Sequence, residues 1–151
     1  MISKALSINE VKVCKGPVEF VCHGLGSCIG LFVTDKLRNI SGGAHIPLPP
    51  GEGNADMRGA DELLSELMEG FQSLGSDLAN LRAKVVGGAR IVSTLASCGH
   101  NNTESVISFL RTHKVYIAAT DTGGYISRTA RFNSVTQELT IFTSELKTYA
   151  I

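Results

Sequence analysis

The sequence predicts an α/β or α+β fold in which helices cover the faces of a sheet. Three observations predict it. Short β-branched and aromatic runs recur along the chain, two stretches repeat apolar residues at helical spacing, and glycine- or proline-rich turns divide them. With 151 residues the chain suits one compact domain, 1–151, large enough to bury roughly two thirds of its unfolded surface.

Val11-Lys12-Val13-Cys14, Glu19-Phe20-Val21-Cys22 and Cys28-Ile29-Gly30-Leu31-Phe32-Val33 read as strands, divided by Lys15-Gly16-Pro17 and His23-Gly24-Leu25-Gly26. Asn39 to Ile46 reads as a further strand, stopped by Pro47, Pro49 and Pro50. Pro49 to Asn54 is a loop, dense in residues that continue neither helix nor strand. Leu63, Leu64, Leu67, Met68, Phe71 and Leu74 then recur at helical spacing, with Asp61, Glu62, Glu66 and Glu69 on the other faces. An amphipathic helix stopped at Gly75 follows from that pattern.

Lys84 to Val92 predicts a strand whose glycines allow a bulge or a close backbone approach. Asn101 and Asn102 are candidate caps of a second helix that carries Val106, Ile107 and Leu110 and ends near His113. Val115 to Ala119, a turn at Asp121-Thr122-Gly123-Gly124, and strands near Arg128–Phe132 and Leu139–Phe142 complete the order. An Asp121–Arg128 pair would fix that turn.

Lys+Arg and Asp+Glu balance at 14 each, so no global field favours nucleic acid or an anionic membrane. No apolar run approaches the ~18 residues of a membrane span. Met1 to Leu6 lacks the apolar core of a signal peptide, which makes the cytoplasm the expected location and reduced thiols the expected state of the four cysteines. There is no Cys-x-x-Cys spacing, so neither a zinc site nor another cofactor is expected. A monomer is expected, because no coiled-coil heptads appear.

Two residues carry the chemistry. Cys28 lies in Leu25-Gly26-Ser27-Cys28-Ile29-Gly30, and His45 in Gly42-Gly43-Ala44-His45-Ile46-Pro47. A thiol and an imidazole are the minimum parts of a cysteine acyl-transfer enzyme, and glycine-rich flanks let a substrate approach backbone N–H groups that could hold an oxyanion. A free thiol near pKa ~8.5 is mostly protonated at neutral pH, so a base is required. If the two strands are neighbours, His45 could take the proton and give a thiolate–imidazolium pair with a depressed thiol pKa. The alternative reading is a small buried hydrophobe beside a structural histidine.

Four segments in this order resemble the CheD family of chemoreceptor glutamine deamidases: Gly24-Leu25-Gly26-Ser27-Cys28-Ile29-Gly30, Ala44-His45-Ile46-Pro47-Leu48-Pro49, Ala83-Lys84-Val85-Val86-Gly87-Gly88-Ala89, and Asp121-Thr122-Gly123-Gly124 with Arg128 and Phe132. The resemblance implies a layered α/β/β sandwich, two main helices on mostly antiparallel or mixed sheets. It implies Cys28 as nucleophile, His45 as base, and glutamines on the cytoplasmic helices of chemoreceptors as substrate. It further implies removal of glutamate methyl esters and competition with receptor by a partner, the phosphatase CheC. The loop from Pro49 to Asn54 would then border the entrance.

The chain departs from the family at two positions. Cys22 stands where a threonine is usual as third catalytic residue, and Asn101 replaces the arginine of an Arg-Asn pair whose asparagine is Asn102. Cys22 either packs as a near-isostere, with a backbone carbonyl orienting His45, or weakens catalysis, or forms a reversible disulfide with Cys28. A binding adaptor for CheC or receptors, weakly active or inactive, is the alternative function.

Overall fold

The computed structural model describes residues 1–91 and 98–151. In chain order the elements are β1 (Ile2–Ala5), β2 (Val11–Lys15), β3 (Val18–Leu25), β4 (Ile29–Asp35), β5 (Ile40–Ile46), α1 (Ala60–Ser73), β6 (Arg82–Gly87), α2 (Cys98–Thr112), β7 (Tyr116–Thr122), β8 (Arg128–Asn133), β9 (Leu139–Thr143) and β10 (Thr148–Ala150). They form two five-stranded sheets, ordered β1-β3-β8-β9-β10 and β2-β5-β4-β6-β7. Each is antiparallel except for one pair, β1 with β3 in the first and β6 with β7 in the second. The β6–β7 pair needs a long crossover, and α2 lies within it.

Helix α1 packs on β2 and β5, and α2 on β4 and β7. Both therefore cover one face of the second sheet, while the first sheet covers the other. The layers are α/β/β, as predicted.

Strand β4 shows how the layers divide. Ile29, Leu31 and Val33 point toward the helices, where they join Leu63, Leu67 and Phe71. Phe32 points the other way, among Phe20, Leu25 and Ile141, and its ring lies 5.5 Å from that of Phe132. All residues of β4 and β5 are buried, which is why neither reads as an alternating apolar–polar strand.

The structure moves several predicted boundaries. Helix α2 starts at Cys98, so Asn101 and Asn102 stand inside it rather than capping it, and Asn102 is fully buried. The strand expected over 84–92 stops at Gly87, because Gly87 and Gly88 turn the chain with φ of +112° and +63°. Val92 lies outside the described residues. Strand β7 continues through Thr122, leaving the turn at Gly123-Gly124, and Arg128 braces it by donating to Asp121 Oδ2 (3.2 Å) and Gly123 O (2.9 Å). The edge strands β1 and β10 were not predicted. Both are short and mostly exposed, and they owe their form to the strands they pair with. Among the described residues no helix is long and apolar enough to cross a membrane.

Candidate active site

Strands β4 and β5 run antiparallel, with Gly30 opposite His45 and Ile29 opposite Ile46. Cys28 immediately precedes β4 and stands two residues from Gly30, so alternation puts it on the same face. Cys28 and His45 are thus diagonal neighbours across the pair, a relation that spans ~7–8 Å. That face looks toward the first sheet. A Cβ added to Gly30 would meet Leu25 at 3.0 Å, Val86 at 3.2 Å and the Cys22 sulfur at 3.4 Å. The missing side chain of Gly30 leaves the space beside which Cys22 reaches across from β3. Cys22, Cys28 and His45 therefore converge at one end of the layer between the sheets.

His45 is only 4% exposed, and its Nδ1 lies 2.8 Å from the carbonyl oxygen of Leu6. A carbonyl only accepts, so Nδ1 carries the hydrogen in the neutral ring and Nε2 keeps its lone pair. The backbone is held as well, His45 N–H donating to Glu10 O and Asn9 N–H to His45 O. Burial lowers the pKa of the imidazole, opposed by the Leu6 contact and the charge of Glu10. Nothing near His45 in the sequence signals Leu6, whose contribution is a backbone atom on a distant segment.

The loop before Cys28 is held by its carbonyls. Gly26 O accepts from Ala89 N–H (2.8 Å) and Cys28 O from Gly88 N–H (2.9 Å). Ser27 O accepts from the Asn102 side chain (2.9 Å). At Gly87 the approach is so close that a Cβ would stand 2.2 Å from Cys28 O. The glycines of Lys84–Val92 were expected to permit such a contact, and this is where it falls.

The Cys28 thiol is pushed up to about 11, first by burial and then by the neighbouring Cys98, with its own N–H opposing. The expected depressed thiol is thus corrected. Desolvation disfavours both the thiolate and the imidazolium, so burial opposes charge separation within the pair. Cys22 is fully buried among apolar neighbours, and its thiol is pushed up by burial and by Cys28. All four cysteines are free.

A surface cavity of about 430 Å³ opens beside His45, lined also by Leu6, Ile8, His23 and Gly24. His23, read from the sequence as part of a turn, is an exposed residue of β3 and borders this cavity. Among the described residues, no group of three or more His, Cys, Asp or Glu side chains is arranged to hold a metal ion.

Comparison with known proteins bears on this site. Residues 47–143 match the model of the family described as CheD chemotactic sensory transduction. The chain is 32% identical over 143 residues to the chemoreceptor glutamine deamidase CheD of Thermotoga maritima, covering 93% of this chain and 91% of that one. It is 35% identical over 148 residues to the protein of the same name from Halalkalibacterium halodurans, covering 91% of each. Among solved structures, a Neisseria meningitidis protein of family DUF152 superposes with a TM-score of 0.52 at 9% identity, covering 82% of this chain and 64% of that one, which is a likeness of fold alone.

Proposed function

The chain belongs to the CheD family, and from that premise we propose that it is a protein-glutamine deamidase of chemotaxis, acting on chemoreceptor glutamines through Cys28 and His45. One observation carries this reading: a thiol and an imidazole lie diagonally on one face of paired strands, and the Leu6 carbonyl holds His45 in the tautomer whose Nε2 can accept a proton.

Because burial opposes ionisation of both groups, the thiol proton passes to His45 Nε2 as sulfur attacks the glutamine carboxamide carbon. The tetrahedral oxyanion takes a hydrogen bond from backbone N–H, with Cys28 N–H as the candidate donor. Collapse transfers the His45 proton to the departing nitrogen and releases ammonia, leaving a thioester. His45 then takes a proton from water, hydroxide attacks the thioester, and the thiol is restored as glutamate leaves. A glutamate methyl ester presents the same carbonyl with methanol as leaving group, so one site serves both reactions. Each converted amide adds a negative charge to a receptor helix, which alters packing among helices and the signalling equilibrium.

Cys22 acts by packing: its sulfur fills the space over Gly30 and keeps the layer closed between Cys28 and His45. The apolar wall of the cavity at Leu6 and Ile8 suits the methylenes of a glutamine side chain. The loop from Pro49 to Asn54 contributes to partner choice, CheC being the partner that competes with receptor, and the working unit is a monomer in the cytoplasm that needs no cofactor.

A receptor cytoplasmic fragment incubated with wild type, Cys28→Ala and His45→Ala, then analysed by peptide mass spectrometry, tests the proposal. Glutamine-to-glutamate conversion by wild type alone is expected. Binding of the fragment without conversion would replace the enzyme by the adaptor.

A further inference from the structure

The ladder between β4 and β5 ends at Ile29 and Ile46. One step further stand Cys28 and Pro47, and proline has no N–H with which to continue it. The strand ends bearing the proposed nucleophile and base would therefore be free to splay where their separation matters most.

Asn102 closes this gap. It comes from the first turns of α2, is 0% exposed, and its Nδ2 lies 2.9 Å from Ser27 O and 3.0 Å from Pro47 O. One amide nitrogen thus bonds both strand ends, the residue before Cys28 and the residue two after His45, with a longer contact of 3.8 Å to the Cys98 sulfur. Both partners are carbonyls, which settles the orientation of the amide, since the flipped form would set oxygen against oxygen. The carbonyl Oδ1 of Asn102 is buried and has no partner among the described residues.

We infer that Asn102 is a positioning residue for the deamidation reaction, clamping the carbonyls of Ser27 and Pro47 and so setting the separation of Cys28 from His45. This rests on the proposed roles of Cys28 and His45. It replaces the helix-capping role expected from sequence, and it explains how a helix of the outer layer acts on a site that lies on the opposite face of the sheet.

The test uses the full chain as wild type, Asn102→Ala and Asn102→Ser. Three quantities are followed: kcat and KM for deamidation of the receptor fragment, the pH dependence of Cys28 alkylation by iodoacetamide located by peptide mass spectrometry, and Tm. Misplacing the pair should lower kcat of Asn102→Ala by about 10²-fold with KM little changed. The alkylation profile of Cys28 should shift, and Asn102→Ser, which keeps one donor, should recover part of both effects. Folded variants with wild-type kcat and an unchanged alkylation profile would overturn the inference. So would failure of both variants to fold, because Asn102 would then serve the fold. Inactivity of the wild type would count against the deamidase reading instead, and the alkylation profile would still decide whether the clamp governs Cys28.

Discussion

On its helix side the second sheet presents Ile29, Leu31, Val33, Ala44 and Ile46 to Leu63, Leu67 and Phe71, while on its other side the same two strands carry Gly30, Gly43 and His45 beside Cys22 and Cys28. The helix side is close-packed with large apolar side chains, and its polar contribution to the site comes from the start of α2, where Asn102 reaches Ser27 O and Pro47 O. The inter-sheet side keeps aromatic packing at its centre, around Phe32 and Phe132, and gives it up toward one end. Alternation lets one strand serve both purposes, because neighbouring residues answer to different layers. The comparison separates a close-packed face from the end of the other face that holds the proposed site.

Substitutions can break that division. Cys28→Ala should reduce deamidation to background while leaving Tm nearly unchanged, since it exchanges one small half-buried group for another; activity assays beside thermal melts would show it. Gly87→Ala should damage both properties. Its Cβ would fall 2.2 Å from Cys28 O at a φ of +112°, so the loop must shift, with activity lowered by about 10²-fold and stability by about 1–3 kcal/mol. Phe71→Ala, at a fully buried site on the helix side, should cost about 3–5 kcal/mol in urea unfolding with kcat per folded molecule unchanged. A large change in kcat would show that the faces are coupled.

Smaller effects sharpen the comparison at the site end. Gly30→Ala places a methyl between Leu25, Val86 and Cys22, and overpacking of this kind costs about 1–3 kcal/mol. Activity should fall further than the helix-side variants allow, because the methyl intrudes between the proposed nucleophile and base. The pH dependence of stability should carry the signature of His45. Its folded pKa is lowered, so the unfolded chain binds more protons below the ordinary ~6.5; stability is fully present above that value and is lost as pH falls toward the folded pKa. His45→Asn should flatten this acid-side loss in Tm measured from about pH 7 to 5. For Cys28 the raised value has the opposite sense: its contribution is present below the ordinary thiol range and is lost as pH rises through about 11.

Much of the fold was legible in residue order. Strands β2, β4 and β5, helix α1 with its stop at Gly75, and strands β8 and β9 lie where apolar periodicity and turn residues put them, whereas β3 runs on to Leu25 through His23 and Gly24, which read as a turn, because β8 pairs with it as far as Leu25. The signal was weakest where form depends on a partner. Edge strands β1 and β10 have little pattern of their own, and the polar start of α2 read as a capping region. Cys28, His45 and Cys22 were visible as residue types in glycine-rich flanks, and the same segments resembled the family to which the chain belongs.

The sequence by itself therefore determined the order of the inner elements, the layered class and the family, because these rest on local periodicity and on motifs that survive as strings of residues. Tertiary structure decided which backbone atoms meet the side chains. Leu6 O orients His45, Gly88 N–H and Asn102 hold the loop around Cys28, and the space over Gly30 admits the Cys22 sulfur. It also reversed the direction expected for the thiol. Desolvation is summed over every atom that excludes water from a group, and two sheets and a helix contribute to that sum from segments that no stretch of sequence around Cys28 contains.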